Sequence, residues 1–400
     1  VVVLSPARLW TRDFSLYFVG RAIALMGDAM LPVAVTLGVL GIYGPVGVGI
    51  VLAAWMAAFG GLVLFGGVLA DWFTARRMMI FADVLRVGTQ SVIAVTFFIG
   101  QPALWLLVTM SFLSGLGAAL FQPGVNSMIP QIAADPQRAN AVLRVADAVA
   151  RLIGPGIAGA IVLLGGPGFV YAINAGTFLI SGLCLIAMRV KLTKAAATSL
   201  ISDLREGWAE FRSRTWMWSV ILVWAVYGIV LFGPMWPVGA QVISEGDGGP
   251  AAYVLAITGE GLGSIVGGLV ALRYRPVRPL FSGAIAMIAF MAMPLVVALA
   301  APVPVIVVGF TLAGAAWAFW SVMWATSVQT QVPGEVLNRV TAYEVAGSVL
   351  SIPIGQSLGP IVGEAIGPRN VLLAGFVVGL AGIGVLLAIR PVRNLRAVGR

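Results

Sequence analysis

The chain alternates long apolar stretches with short polar breaks, and twelve stretches reach the roughly 20 residues that a helix needs to cross hydrocarbon. They run over residues 14–40, 46–70, 79–99, 103–124, 139–164 and 168–188, then 216–242, 250–272, 279–300, 303–328, 336–363 and 370–389. Some breaks are minimal: Gly100-Gln101-Pro102, Gly165-Gly166-Pro167 and Ala301-Pro302 read as tight turns between antiparallel helices. The longest polar interruption falls near the middle. The pattern predicts an all-α, polytopic membrane protein of two six-helix bundles. Residues 1–189 form the first, 190–214 a cytoplasmic linker, and 215–400 the second with a short cytoplasmic tail. In the linker, Leu204, Trp208 and Phe211 recur at i, i+4, i+7. That apolar face opposite a charged one predicts an amphipathic helix lying along the membrane surface, strapping the halves together or docking a partner.

Composition agrees. Apolar residues make up 60% of the 400 and charged residues only 10%, against about 25% charged in soluble domains. So little charge cannot cover a water-facing surface, which excludes soluble enzymes, DNA-binding modules and disordered regulators. Cys184 is the single cysteine and histidine is absent, so disulfides, Cys-based metal sites and the usual proton shuttle are excluded. No metal or cofactor is expected, and an intramembrane enzyme is disfavoured. Neither lysine, Lys191 or Lys194, closes a phosphate-binding loop, so uphill transport needs an ion gradient. The opening Val1–Leu4 run is too short for a signal-peptide core.

The net charge of +9 is explained by where the arginines lie. Arg21, Arg86, Arg144 and Arg151 fall well inside spans, and Arg339, at the very start of span eleven, counts with the loop before it. Of the remaining twenty basic residues, nineteen lie at the termini or in loops after even-numbered spans, and only Arg369 lies opposite. That bias predicts both termini cytoplasmic in the cell membrane, with the arginines beside anionic headgroups rather than nucleic acid.

The halves repeat. Gly66-Gly67-Val68-Leu69-Ala70-Asp71, leading to Arg76-Arg77, ends span two; Gly267-Gly268-Leu269-Val270-Ala271-Leu272, leading to Arg273, ends span eight 201 residues later. A second echo links Asn140, Asp147 and Gly154-Pro155-Gly156 of span five with Asn338, Glu344 and Ile352-Pro353-Ile354-Gly355 of span eleven. Parallel repeats of this kind favour a midplane site between rocking halves.

The Gly67-to-Asp71 segment with Arg76-Arg77 resembles the loop motif between spans two and three of the major facilitator superfamily. Arg21-Ala22-Ile23-Ala24-Leu25-Met26-Gly27-Asp28-Ala29, the Asn140–Gly159 segment and Asp203-Leu204-Arg205-Glu206-Gly207 resemble its drug-exporter branch, which includes macrolide and enterobactin exporters. The resemblance implies that Gly67, Asp71, Arg76 and Arg77 act as a cytoplasmic gate, with Arg339 or the start of span eleven as partner. It also implies that Gly154, Pro155, Gly156 and Gly159 form an antiporter-like kink, a packing kink being the alternative. Trp72, Thr74 and Ala75 depart from the loop pattern, and Leu272 replaces the acid in the second copy.

A charge within hydrocarbon costs at least about 2.5–3.5 kcal/mol and needs a partner or a cavity. Asp28 is the first candidate for the proton-coupling carboxylate, with Glu260 the second. Arg21 shares a face with Asp28 but sits about two turns away, too far for a direct bond without a bend and leaving room for substrate or water, and Tyr17 lies near the same stripe. Arg144, Asp147 and Arg151 fall on one face of span five, where Asp147 can bridge both arginines as structural charges. Asp83 and Glu344 are expected nearer the cytoplasmic edge in gating networks, with Arg86 able to pair with Asp83. Phe310, Trp317, Trp320 and Trp324 form a stripe on span ten that Trp224, Tyr227 and Trp236 of span seven can face, an aromatic wall for bulky apolar or cationic ligands. Gly259, Gly263 and Gly267 read as a packing seam.

These residues predict a proton-coupled exporter of amphipathic organic compounds, working as a monomer by alternating access. Its expected partners are a small-molecule substrate, protons and the bilayer. Export of one metabolite such as a siderophore, lysolipid flipping, and a non-transporting subunit or sensor remain alternatives.

Overall fold

The computed structural model describes residues 10–63, 74–133, 136–189, 200–274, 276–333, 340, 343–344 and 347–397. Among them, eleven helical stretches are long and apolar enough to cross a membrane. The first helix, Arg12–Val63, would measure about 78 Å if straight, far beyond one hydrocarbon thickness. It breaks at Gly44 (φ 61°, ψ −170°) and so supplies spans one and two, giving the twelve crossings expected. Spans three to six are Ala75–Ile99, Leu104–Ile132, Pro136–Gly165 and Pro167–Ala187. Span seven runs Thr215–Tyr227, a π turn Gly228–Phe232, and Gly233–Ser244. Span eight is Gly249–Arg273, span nine Pro279–Phe290 and Ala292–Ala298, and span ten Val303–Gln331. The described helix of span eleven is Ile352–Ile366, and span twelve is Pro368–Ala388.

The turns show how the chain reverses. Among the described residues four glycines have positive φ: Gly44, Gly166, Gly249 and Gly367. A proline follows each one. Only glycine enters that backbone region without strain, and proline pre-sets φ for the first turn of the next helix. These Gly-Pro steps join spans one to two, five to six, seven to eight, and eleven to twelve. They occupy equivalent places in the two halves, with Gly166 and Gly367 201 residues apart.

The chain divides into two compact units, residues 1–38 with 57–198 and residues 39–56 with 199–400. In the first unit, Phe14, Tyr17, Met79, Phe121, Met128 and Leu185 belong to one buried apolar cluster. The unit's surface carries side chains such as Ile99 and Leu164, the latter 90% exposed, which suit lipid and would aggregate in water. In the second unit, a Cβ on Gly49 would lie 2.0 Å from the carbonyl oxygen of Gln356. The linker helix Leu200–Ser213 stacks Phe211 on Trp208, and both rings meet Tyr343.

Spans eight and ten form the tightest seam in the second unit. A Cβ on Gly263 would stand 1.9 Å from the Thr311 carbonyl oxygen, and one on Gly267 2.0 Å from that of Ala315. Backbones this close leave no room for a methyl group, so the glycine series serves packing. Gly263→Ala should therefore destabilise the protein by roughly 1–3 kcal/mol through overpacking. Gly268→Ala, where a Cβ meets nothing within 4 Å, should be neutral or stabilising by up to about 1 kcal/mol. Melting temperatures of the two variants in detergent check the contrast; equal stabilities would contradict the packing role.

Candidate functional site

Two groups of residues in the membrane carry chemistry, one in each unit. The first centres on Arg86. Its Nη2 donates to Asp83 Oδ1 at 2.7 Å, and its Nη1 stands 3.6 Å from Asp28 Oδ2. The guanidinium lies over two rings, 3.9 Å from the Phe178 centroid and 4.8 Å from that of Phe121. Two carboxylates and two π faces together offset the cost of removing a guanidinium from water. Gly117 makes the space: a Cβ there would come 2.8 Å from Arg86 Cγ. Access is unequal. The side chain of Asp28 is 39% exposed, while those of Asp83 and Arg86 are 1% and 3% exposed.

Arg21 makes no ion pair with Asp28. Its guanidinium sits 5.0 Å from the Phe121 centroid, sharing that ring with Arg86. Tyr17 is buried in the apolar cluster, and its hydroxyl has no hydrogen-bond partner among the described residues. Arg21, Arg151 and Asp147 also lie within electrostatic reach of Asp28. Sequence spacing alone did not find the Asp28–Arg86 pair, because it joins spans one and three. Asp83 is sealed within the unit beside Arg86.

Span five meets span one next to Asp28. A Cβ on Gly154 would lie 2.7 Å from Ala29 Cβ, so the glycine brings the Gly-Pro-Gly segment against the carboxylate's own helix. Pro155 sits inside a helix that continues to Gly165, with Gly156 half-buried and Gly159 buried. Asp147 bonds Arg151 at 3.1 Å rather than bridging both arginines; Arg144 is exposed and outside the pair. Of the expected gate, Gly67, Asp71 and Arg339 lie outside the described residues. Arg76 holds the carbonyl end of span six, donating from Nε to Leu185 (2.8 Å) and from Nη2 to Ile186 (2.6 Å). Arg12 adds a bond to Ala187. Cations at a helix C-terminus satisfy its unpaired carbonyls and its dipole. Arg77 is exposed.

The second group is aromatic. Trp224 stacks on Trp320 (4.8 Å between centroids) and Trp317 (6.4 Å), Trp320 stacks on Trp324, and Trp216 meets Trp324 edge-on. Phe232 is a hub, in contact with Trp224, Tyr227, Phe290 and Trp317. On a regular helix Phe232 would sit about 80° around from Trp224. The π turn, closed by the Gly233 N–H to the Gly228 carbonyl, winds wider and returns it to the aromatic face. Span eleven packs against that turn: a Cβ on Gly355 would stand 2.4 Å from the carbonyl oxygens of Gly228 and Ile229. Trp317 is 36% exposed, whereas Trp224, Tyr227 and Trp320 are buried. Tyr227 donates to the Gly379 carbonyl, and Trp324 Nε1 donates to Glu344. Glu344 thus belongs with the aromatic wall. Phe310 does not: it is buried and joins no ring pair among the described residues, as does neither Trp236. The carboxylate of Glu260 is half-buried and has no ion pair among the described residues.

Known proteins share this architecture. The chain is 25% identical over 406 residues to the uncharacterized MFS-type transporter YvqJ of Bacillus subtilis, covering 97% of this chain and 94% of the relative. It is 23% identical over 389 residues to macrolide efflux protein A of Streptococcus pyogenes, covering 92% and 94%. The crystal structure of the nucleoside transporter NupG superposes with a TM-score of 0.71 at 13% identity, over 93% of this chain and 98% of that one. The model of the Major Facilitator Superfamily matches residues 17–343. The chain therefore belongs to the Major Facilitator Superfamily, as a multi-pass membrane transporter and not an enzyme.

Proposed function

We propose that this transporter is a proton-coupled exporter of amphipathic organic compounds, an antiporter working by alternating access as a monomer. It sits in the cell membrane with both termini cytoplasmic and acts through the six-helix divisions at 1–189 and 215–400. The observation that carries the reading is Asp28, a partly accessible carboxylate within a membrane span, 3.6 Å from the Arg86 guanidinium. Such a carboxylate has two stable states: ionised against a cation, or neutral once protonated. Protonation from outside favours release of substrate, and proton loss inside restores the binding state. Glu260 is the second candidate for this role.

The substrate meets the aromatic wall, where Trp224, Trp317, Trp320, Trp324 and Tyr227 offer flat area and negative π faces. Efflux named for a relative, macrolide efflux protein A, agrees with outward transport of a bulky compound. The Gly154-Pro155-Gly156 segment against Ala29 ties the antiporter-like kink to the helix of Asp28. Gly67, Asp71, Arg77 and Arg339 remain the proposed gate.

Everted vesicles energised to an acid lumen test the coupling. Adding erythromycin or ethidium should dissipate the proton gradient, read as recovery of a quenched acridine dye, and Asp28→Asn should abolish the response. A response that survives in Asp28→Asn overturns the assignment of the carboxylate. A wild-type protein that moves these compounds without any proton response overturns antiport.

Trp317 offers the clearest test of the aromatic wall because it is exposed. Trp317→Ala should weaken ethidium binding about three- to tenfold, the worth of one aromatic pairing. Trp105→Ala, removing an indole 69% exposed in the other unit, should leave affinity unchanged. Equal effects in a fluorescence titration would place the ligand elsewhere.

A further inference from the structure

The coupling carboxylate cannot be understood apart from the cation beside it. Arg86 is nearly sealed from solvent, and a buried guanidinium that loses its only counter-ion is strongly destabilising. If Asp28 were its sole partner, every protonation of Asp28 would strand the cation. The structure supplies a second acid. Asp83 accepts a short hydrogen bond from the same guanidinium on its far nitrogen, one turn away on span three, and is itself sealed. We propose that Arg86 is shared between Asp28 and Asp83, and that Asp83 is the positioning residue that takes over the guanidinium whenever Asp28 is protonated. This rests on the reading of Asp28 as the coupling site.

Three features fit that role. The distances are unequal, 2.7 Å to Asp83 and 3.6 Å to Asp28, so the cation is already closer to the acid that is sealed from solvent. Phe121 and Phe178 lie over the guanidinium, and π faces allow it to shift between the two acids without losing their attraction. The charge balance also works. With both acids ionised the three groups carry one net negative charge; a proton on Asp28 leaves a neutral Arg86–Asp83 pair, the arrangement that costs least in a dry interior.

The other charges around Asp28 are Arg21 on its own span and Asp147 with Arg151 on span five. Span four, Leu104–Ile132, has no titratable side chain, and span six brings only Tyr171 and Cys184. Among the described residues none of these bonds Arg86, and Asp83 is the acid besides Asp28 that pairs with it.

Infrared titration of the purified, lipid-reconstituted protein tests the idea without any substrate. The protonated-carboxyl stretch lost in Asp28→Asn identifies the contribution of Asp28. In Asp83→Asn, Arg86 is left wholly to Asp28 and favours its charged form. Protonating Asp28 should then need at least about tenfold more protons than in the wild type. Asp83→Glu should return the titration close to the wild type. A purely structural Asp83 would lower melting temperature without moving the titration, and an unmoved titration overturns the proposal. If Asp83→Asn does not fold, the double variant Asp83→Asn/Arg86→Gln removes both buried charges and should recover folding. Its Asp28 should protonate at a proton concentration at least about tenfold lower than in the wild type, having lost its cation; an unmoved titration there also overturns the proposal. The readout is independent of transport. A missing proton response in vesicles counts against export, whereas an unmoved infrared titration counts against the shared guanidinium.

Discussion

Hydrocarbon offers a polypeptide no hydrogen bonds, and that single constraint organises this molecule. Every peptide group within a span must find its partner inside the helix, so irregular backbone is pushed to the turns and to a few places where protein covers it. The Gly-Pro steps at Gly44, Gly166, Gly249 and Gly367 let a helix stop and the next one start within two residues. The π turn at Gly228–Phe232 is the exception inside a span. It closes a wider ring, with the Gly233 N–H donating to the Gly228 carbonyl, and the backbone of span eleven at Gly355 packs directly on it.

The same constraint makes each internal charge informative. Arg76 and Arg12 spend their donors on the carbonyls that end span six, where a helix leaves acceptors unpaired. Arg86 sits where no helix ends, and it needs both acids and both rings. A cation so thoroughly held must be there for a reason other than stability, since apolar residues of similar size often pack at least as well. Partial exposure sets Asp28 apart from Asp83 and Arg86, which are sealed.

Much of the fold was legible because its signals are long and redundant. Twenty-residue apolar runs survive errors of several residues at each end, and the amphipathic spacing of Trp208 and Phe211 foretold a linker helix with one aromatic face. The Gly259–Gly263–Gly267 series foretold a seam. Single-helix geometry also read correctly that Arg21 cannot reach Asp28. What it could not supply was the neighbour from another helix. Arg86 was visible as a partner for Asp83, three residues away, but its approach to Asp28 depends on how span three packs against span one. Phe232 was hidden for a different reason: a π turn breaks the 100° step on which helical-face reasoning depends. Phe310 erred the other way, sharing spacing with the tryptophans of span ten while packing apart from their rings.

The repeat in the sequence shows what the halves share and where they differ. The turns persist at equivalent places, because a Gly-Pro reversal suits any pair of antiparallel spans. The chemistry does not. At the 201-residue offset that relates spans three and nine, Asp83 and Arg86 correspond to Ala284 and Met287, and Trp317 and Trp320 of span ten correspond to Leu116 and Ala119 of span four. One half holds the buried cation and its acids; the other has apolar side chains at those places and an aromatic wall on span ten, where span four has none. A proton site works best where polar groups can share a charge, and a site for bulky organic compounds works best where flat apolar area is exposed without competing ions. The buried cation lies in the first unit and the aromatic wall in the second, so each environment is built from its own helices.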